Sequence, residues 1–184
     1  MFRDCTSLTK APELPATTLA ERCYYGMFRG CTSLTQVPAI LPATTLAPYC
    51  YAYMFHSCTL TQAPELPATT LAERCYQYMF QYCTSLTQAP ALPATTVARQ
   101  CYYFMFVGCT SLTQAPNILP ATELVSECYS NMFKDCTSLI QAPELPTTTL
   151  GSSCYTNMFR GCSNLSSINV SFTEWNPTNA TVWR

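Results

Sequence analysis

The chain has 184 residues with few charges, 9 Lys or Arg against 10 Asp or Glu, for a net charge of -1. Because neither sign is in excess, the composition excludes electrostatic binding of nucleic acid or of an anionic membrane, and no apolar run is long enough to span a bilayer. The single histidine, His56, leaves few ways to build a His-based metal site or a nucleophile–histidine pair. We expect no catalytic residue, no metal and no cofactor, and we interpret His56 as a surface residue.

The sequence is an internal repeat of about 26 residues. The dipeptide Met-Phe recurs at intervals of 25 to 27 residues, at Met1, Met27, Met54, Met79, Met105, Met132 and Met158. Most copies read close to Met-Phe-x-x-Cys-Thr-Ser-Leu-Thr-Gln-Ala-Pro-x-Leu-Pro-Ala-Thr-Thr-Leu-Ala-x-x-Cys-Tyr-x-x. Such a period is typical of solenoids, in which each repeat packs on its neighbours. We predict a solenoid of about six and a half repeats over residues 1–166, followed by a last strand and a C-terminal tail or partial cap over residues 167–184.

Each repeat divides into two halves of different predicted structure. One half accepts no insertions, and its apolar residues lie four apart, as at Leu19, Cys23, Met27 and Cys31. This spacing predicts a short helix with one apolar face. The other half, Leu34 to Pro38 and its copies, is too short and too rich in proline for a helix. We predict a short strand there, stacked in parallel on its copy in the next repeat, and hence an α/β solenoid.

The segment Met27 to Thr35, Met-Phe-Arg-Gly-Cys-Thr-Ser-Leu-Thr, resembles the BspA-type bacterial leucine-rich repeats. Those repeats have an Ala-Phe-x-x-Cys-x-x-Leu core followed by a short strand that ends in proline. The segment Leu-Pro-Ala-Thr-Thr-Leu-Ala is similar to segments of surface proteins from Bacteroides-type bacteria. The resemblance implies a right-handed leucine-rich-repeat coil, export to the cell surface, and a role in adhesion or in binding a host protein.

Thirteen cysteines occupy two fixed positions of the repeat, one directly before Tyr and one three residues after the Phe of Met-Phe. In an exported protein, copies of one position in adjacent repeats could approach disulfide distance. The odd number and the inward spacing favour buried, reduced thiols instead, since a free cysteine packs as a small hydrophobe. Because no Cys-x-x-Cys pair occurs, we do not expect a zinc site.

Differences between the copies indicate where a ligand could bind. The pairs before and after Cys-Tyr and the pair after Met-Phe vary most, and we predict that they face solvent. In the middle repeats these positions are aromatic, which favours a binding surface because exposed aromatic rings supply contact area. The predicted surface consists of Tyr49, Tyr53, Tyr78, Tyr82, Tyr103 and Phe104. An alternative stays open, in which tyrosine only tolerates half-buried sites.

These observations predict a non-enzymatic repeat module, extracellular or on the cell surface, that mediates adhesion by binding a host protein or a glycan. A passive spacer or stalk would share the same features, and so would a receptor-binding segment of the phage tail-fibre kind. Because the chain begins in the middle of a repeat, we expect it to be a fragment of a larger bacterial surface protein without its export signal. Uncapped repeats could also associate end to end.

Overall fold

The computed structural model describes residues 1–173, which form a stack of repeats. This range contains no α-helix and no extended strand. Each complete repeat instead combines a ten-residue run of consecutive turns with a segment that pairs with its neighbours at single residues. The turn runs are 21–30, 48–57, 73–82, 99–108, 126–135 and 152–161. Among the described residues, then, none belongs to a helix that could cross a bilayer.

A run of turns replaces the predicted short helix, so that prediction is wrong. In the first five of these runs, every second amide donates a hydrogen bond to the next repeat, as Tyr76 N–H does to the Cys101 carbonyl at 3.0 Å. The amides between them donate to the carbonyl three residues back, as Gln77 N–H does to Arg74 at 3.2 Å. Equivalent core phenylalanine rings of adjacent repeats lie 5.4 to 5.8 Å apart. Packed helices need about 8–10 Å between their axes, so helices cannot stack at this spacing.

The turns also account for the four-residue spacing that predicted the helix. In the run 73–82, Arg74, Tyr78 and Tyr82 have φ of 54°, 57° and 59°. Positive φ at the third residue of a turn is what a type II turn requires. Two overlapping turns therefore repeat every four residues and return the side chains to the same face. In an α-helix, residues strictly four apart would drift around the axis by about 40° at each step.

On the opposite side of each repeat, pairing is parallel but confined to isolated bridges, so the predicted strands do not form. The bridges in the Gln-Ala-Pro part of the repeat are Lys10–Gln36, Gln62–Gln88, Gln88–Gln114 and Gln114–Gln141. Others join equivalent threonines, such as Thr70 and Thr96. Prolines recur within these segments and lack the N–H that a continuous ladder needs, which explains why pairing stops after one residue.

Two stacks of aromatic rings, here called the inner stacks, run through the core. One consists of Phe2, Phe28, Phe55, Phe80, Phe106, Phe133 and Phe159, with adjacent rings within 10° of parallel. The other consists of Tyr24, Tyr51, Tyr76, Tyr102, Tyr129 and Tyr155 and continues into Phe172. Leucine, methionine, alanine and cysteine side chains fill the space around them. Each repeat thus packs on copies of its own residues, as the sequence period predicts.

All thirteen cysteines lie in the described range and are free thiols, ten of them buried. At the position three residues after the Phe of Met-Phe, the thiol donates a hydrogen bond to a phenylalanine carbonyl of the preceding repeat, as Cys58 Sγ does to Phe28 at 3.1 Å. The interpretation as buried thiols therefore holds for most positions. Cys5 and Cys23, both in the first repeat, are exposed.

At the end of the described range, Val170 forms a parallel bridge with Leu145. Phe172 is buried and stacks on Tyr155 at 6.0 Å. The boundary at residue 166 and the partial cap stay predictions, and much of that segment, residues 174–184, lies outside the described residues.

Candidate binding surface

The left-handed positions of the turn runs stack into three columns on one side of the molecule. The first column is Arg22, Tyr49, Arg74, Gln100, Glu127 and Ser153. The second is Gly26, Tyr53, Tyr78, Phe104, Asn131 and Asn157. The third is Asp4, Gly30, Ser57, Tyr82, Gly108, Asp135 and Gly161. Within residues 1–173, every residue with positive φ belongs to one of these columns.

Backbone conformation makes the second column informative. Its ends carry residues that tolerate positive φ, namely Gly26, Asn131 and Asn157. Its middle carries Tyr53, Tyr78 and Phe104, with φ of 60°, 57° and 57°. The left-handed conformation costs about 1–2 kcal/mol for a side chain that cannot bond locally to the backbone, as Asn and Asp do. Of the six predicted surface residues, all but Tyr103 occupy such positions.

Five rings make up what we call the outer ring cluster: Tyr25, Tyr53, Tyr78, Tyr103 and Phe104. Tyr53 stacks on Tyr78 at 4.5 Å between ring centroids. Phe104 lies 5.2 Å from Tyr78 and 4.4 Å from Tyr103. Tyr25 extends the cluster to the preceding repeat, 5.4 Å from Tyr53. Unlike the inner stacks, these pairs range from stacked to edge-on, so several rings leave part of a face uncovered.

Exposure differs between the predicted surface positions. Tyr82 is 50% exposed, whereas the other five residues of the predicted surface are partly buried; Tyr25, which the predicted surface did not include, is 45% exposed. The prediction that all variable positions face solvent is wrong for six side chains, which are buried: Ala52, Gln81, Gln100, Val107, Ser130 and Asn131. Repeats stacked this closely let the side chains of adjacent copies cover one another, which explains the burial.

Tyr49 stands apart from the cluster, in a polar network along the first column. The guanidinium groups of Arg22 and Arg74 lie 5.0 and 5.3 Å from its ring centroid. Arg74 also donates hydrogen bonds to the Tyr49 hydroxyl and to the Gln100 side-chain oxygen. Gln100 Nε2 in turn donates to Glu127 Oε2 at 2.6 Å. The network binds five successive repeats together through their side chains.

Tyr82 reaches the outer ring cluster through His56. The His56 ring lies 5.7 Å from Tyr82, edge-on, and 5.8 Å from Tyr53. The Tyr82 ring covers Gly108, where an added Cβ would come within 2.5 Å of a ring carbon. Gly108 has φ of 69°, so glycine serves there both for its conformation and for the space that it leaves to the ring.

Charge near the cluster is mostly positive at its His56 edge. The Arg29 guanidinium lies 5.4 Å from the Tyr53 ring centroid. Burial lowers the pKa of His56, and the positive charge of Arg29 lowers it further. Burial raises the pKa values of Tyr53 and Tyr78, so their hydroxyl groups stay protonated at neutral pH.

Three contributors to this surface, Tyr25, Arg29 and His56, lie at variable positions but were not part of the predicted binding surface. Arg29 and His56 follow Met-Phe directly in successive repeats, which is the signal that places them side by side. In the described part of the chain, no group of three or more His, Cys, Asp or Glu side chains is placed to hold a metal ion. The surface offers rings, phenol hydroxyls and guanidinium groups, which are chemically suited to binding.

The sequence model of one protein family, described as the BspA type leucine-rich repeat region, matches residues 1–115 and 98–176 with six copies. The match confirms the resemblance inferred from the Met-Phe-x-x-Cys motif. Comparison with curated proteins found no match. Comparison with solved structures found none either.

Proposed function

The chain belongs to the BspA-type leucine-rich-repeat family, and we propose that it is a non-enzymatic binding module of the cell surface that contacts a host protein or a glycan through the outer ring cluster. The family membership supports a repeat scaffold, and the inner stacks give that scaffold its rigidity. The surface location rests on the resemblance to exported bacterial proteins. The binding role rests on the left-handed columns.

The observation that carries the proposal is the presence of large rings at strained backbone positions. Asn131 and Asn157 occupy the second column without strain, so the fold does not require an aromatic side chain there. Tyr53, Tyr78 and Phe104 nevertheless hold that conformation in three successive repeats. Strained residues persist where the surroundings impose them and cluster at functional sites. Recognition of a ligand supplies a reason for the rings that folding does not.

Mutual packing of the rings is the competing explanation. Aromatic pairs contribute about 0.5–1.5 kcal/mol beyond the area that they bury, which offsets part of the strain. That explanation leaves Tyr25 and Tyr82 unaccounted for, since both remain about half exposed. Partly exposed tyrosines beside arginines are instead the composition of protein interface centres.

The experiment compares three forms of the chain on glycan and matrix-protein arrays. The test variant is Tyr53→Asn/Tyr78→Asn/Phe104→Asn, which gives the middle of the second column the residue found at Asn131 and Asn157. The control is Asn131→Gly/Asn157→Gly, which alters the same column outside the cluster and uses the residue found at Gly26. Thermal unfolding of each form establishes that the fold persists.

We expect the wild type and the control to bind the same array members, and the test variant to lose at least about tenfold in affinity, the effect of one or two central interface side chains. Binding that is equal in all three forms would contradict the role of the cluster. A wild type that binds nothing on either array would favour the spacer.

A further inference from the structure

Three basic side chains follow one another along the edge of the outer ring cluster. Arg3, Arg29 and His56 each come directly after Met-Phe in successive repeats. The backbone confirms that they are neighbours in the stack: Asp4 N–H donates to the Arg29 carbonyl at 2.7 Å, and Gly30 N–H donates to the His56 carbonyl at 2.9 Å. The next two copies of this position are uncharged, so the row ends at the centre of the cluster.

Arg29 is held in place but lacks an acidic partner. Within residues 1–173, no carboxylate lies within 4 Å of its guanidinium, whereas Arg3 pairs with Asp4 at 3.5 Å. The Tyr53 ring supports the guanidinium from one side at 5.4 Å. A guanidinium that is fixed over a ring keeps its N–H edge available, and that edge matches the paired oxygens of a sulfate or a carboxylate.

Two half-exposed rings lie close to this row: Tyr82 is 5.7 Å from the His56 ring, and Tyr25 is 5.4 Å from Tyr53, the ring that supports Arg29. Tyr25 is tilted by 53° to Tyr53, and Tyr82 stands edge-on to His56 at 88°, so neither ring is stacked face to face with these neighbours. A pyranose ring presents apolar C–H groups that pack on such a face, and a polymer of acidic sugars repeats its charges along its length. An acidic peptide lacks the rigid apolar face.

We propose that this edge binds the anionic groups of an acidic polysaccharide, with Arg29 as the anion contact and Tyr25 and Tyr82 as the ring contacts. The inference rests on the proposed function and names the ligand class of the same surface. Sulfate and carboxylate groups share the chemistry that Arg29 recognises, and the experiment below separates the two sources.

His56 makes the interaction depend on pH. The groups that face its ring are Arg3, Arg29, Tyr53, Ser57, Gln81 and Tyr82. Burial first, and then the two arginines, lower its pKa below the usual 6.5. The His56 ring is therefore neutral at pH 7. It gains a positive charge only as the pH falls through its lowered pKa, below 6.5. Binding of a polyanion is expected to tighten over the same interval.

The binding experiment uses polymers that share one backbone. Dextran sulfate carries sulfate, carboxymethyl dextran carries carboxylate, and unmodified dextran carries neither; poly-glutamate represents an acidic peptide. We expect the chain to bind one or both charged dextrans and not dextran, and to bind poly-glutamate more weakly. Salt at about 1 M, where the Debye length is about 3 Å, is expected to abolish the interaction.

Charge substitutions at matched positions give the control. Arg29→Gln is expected to weaken binding of the charged dextran about tenfold, the effect of losing one charge-assisted contact. Lys134→Gln/Arg160→Gln removes two charges from the same register position in later repeats, after Met132-Phe133 and Met158-Phe159, and is expected to change affinity less than twofold. His56→Gln is expected to remove the tightening at low pH.

The outcomes separate this inference from the proposed function. If Arg29→Gln and the Lys134/Arg160 control lost equal affinity for the charged dextran, net charge alone would explain the interaction, and the Arg29 site would be overturned. If poly-glutamate bound as tightly as dextran sulfate, the assignment of a polysaccharide as the ligand would be overturned. Array binding that survives Arg29→Gln but disappears in the Asn triple variant would keep the proposed function and reject the acidic ligand. Dextran sulfate binding that is lost in Arg29→Gln but persists in the Asn triple variant would reject the binding role of the outer ring cluster and keep Arg29 as an anion contact.

Discussion

The inner stacks and the outer ring cluster use the same side chains in opposite ways. Inner rings such as Phe80 and Phe106 are fully buried and nearly parallel to their neighbours. Outer rings such as Tyr78 and Phe104 have positive φ, tilted contacts and partial exposure. The inner positions are aromatic in every repeat, whereas the outer positions change to Gly or Asn toward both ends of the second column. The difference indicates that the inner rings maintain the fold and that the outer rings serve another purpose.

The largest expected effect separates the two sets by stability. Phe80→Ala removes a ring that is 0% exposed from the middle of an inner stack and is expected to lower the free energy of unfolding by about 3–5 kcal/mol. Phe104→Asn in the outer cluster removes a partly exposed ring, relieves strain, and is expected to have less than half that effect. Urea denaturation measures both. Equal losses would remove the distinction between the inner and outer rings.

A pH titration tests the buried thiols that line the inner stacks. Burial raises the pKa of Cys50 and that of Cys58 from 9 to about 12. The unfolded chain therefore loses these protons first, and the free energy of unfolding falls as the pH rises from about 9 to about 12. Cys58→Ala is expected to make this fall shallower in alkaline denaturation curves. A slope unchanged by the substitution would show that the thiol does not titrate in this way.

A smaller effect concerns a hydroxyl group of the inner tyrosine stack. The Tyr129 hydroxyl is buried without a partner among the described residues, whereas the Tyr155 hydroxyl bonds to Thr147 at 2.6 Å. Tyr129→Phe is therefore expected to raise the free energy of unfolding by about 1 kcal/mol, and Tyr155→Phe to lower it by about the same amount. Ala121 occupies the position of Thr147 one repeat earlier, so Ala121→Thr is expected to supply the missing partner. Thermal unfolding checks the signs, and destabilisation by Tyr129→Phe would contradict the account.

The smallest expected change is at the outer edge. Tyr82→Asn removes a ring that is 50% exposed, and it relieves backbone strain because asparagine tolerates the left-handed φ of 59° at this position. Because the two contributions oppose each other, the free energy of unfolding is expected to change by less than about 1 kcal/mol. Urea denaturation of this single variant measures it, and a loss above about 2 kcal/mol would make Tyr82 a structural residue.

Much of the architecture is readable from the sequence because the repeat is so regular. The Met-Phe period places Phe28 and Phe55 in one stack. The cysteine three residues after each Phe recurs with the same period, which predicts that it packs against the core. The helix was predicted wrongly because spacing by four residues suits both an amphipathic helix and paired turns. A spacing of four without interruption, from Leu71 to Cys83, was the signal against a helix, since a helical face alternates between three and four.

The left-handed columns left a weaker trace in the sequence. Glycine and asparagine at Gly26, Asn131 and Asn157 indicate positive φ only when the three are aligned. Tyr53 at the same position hides that conformation, because tyrosine rarely adopts it. The predicted surface included most of the ring cluster because it was drawn from differences between repeats. It included Tyr49, which lies in a separate network, because variability does not reveal contacts.

The most direct test of the central claim is the affinity of the chain for its strongest array ligand, measured before and after Tyr53→Asn/Tyr78→Asn/Phe104→Asn under conditions where both forms are folded. The account predicts at least a tenfold loss of affinity, with the Asn131→Gly/Asn157→Gly control unchanged. Equal affinity in the three forms would contradict it, and would assign the outer rings to packing alone.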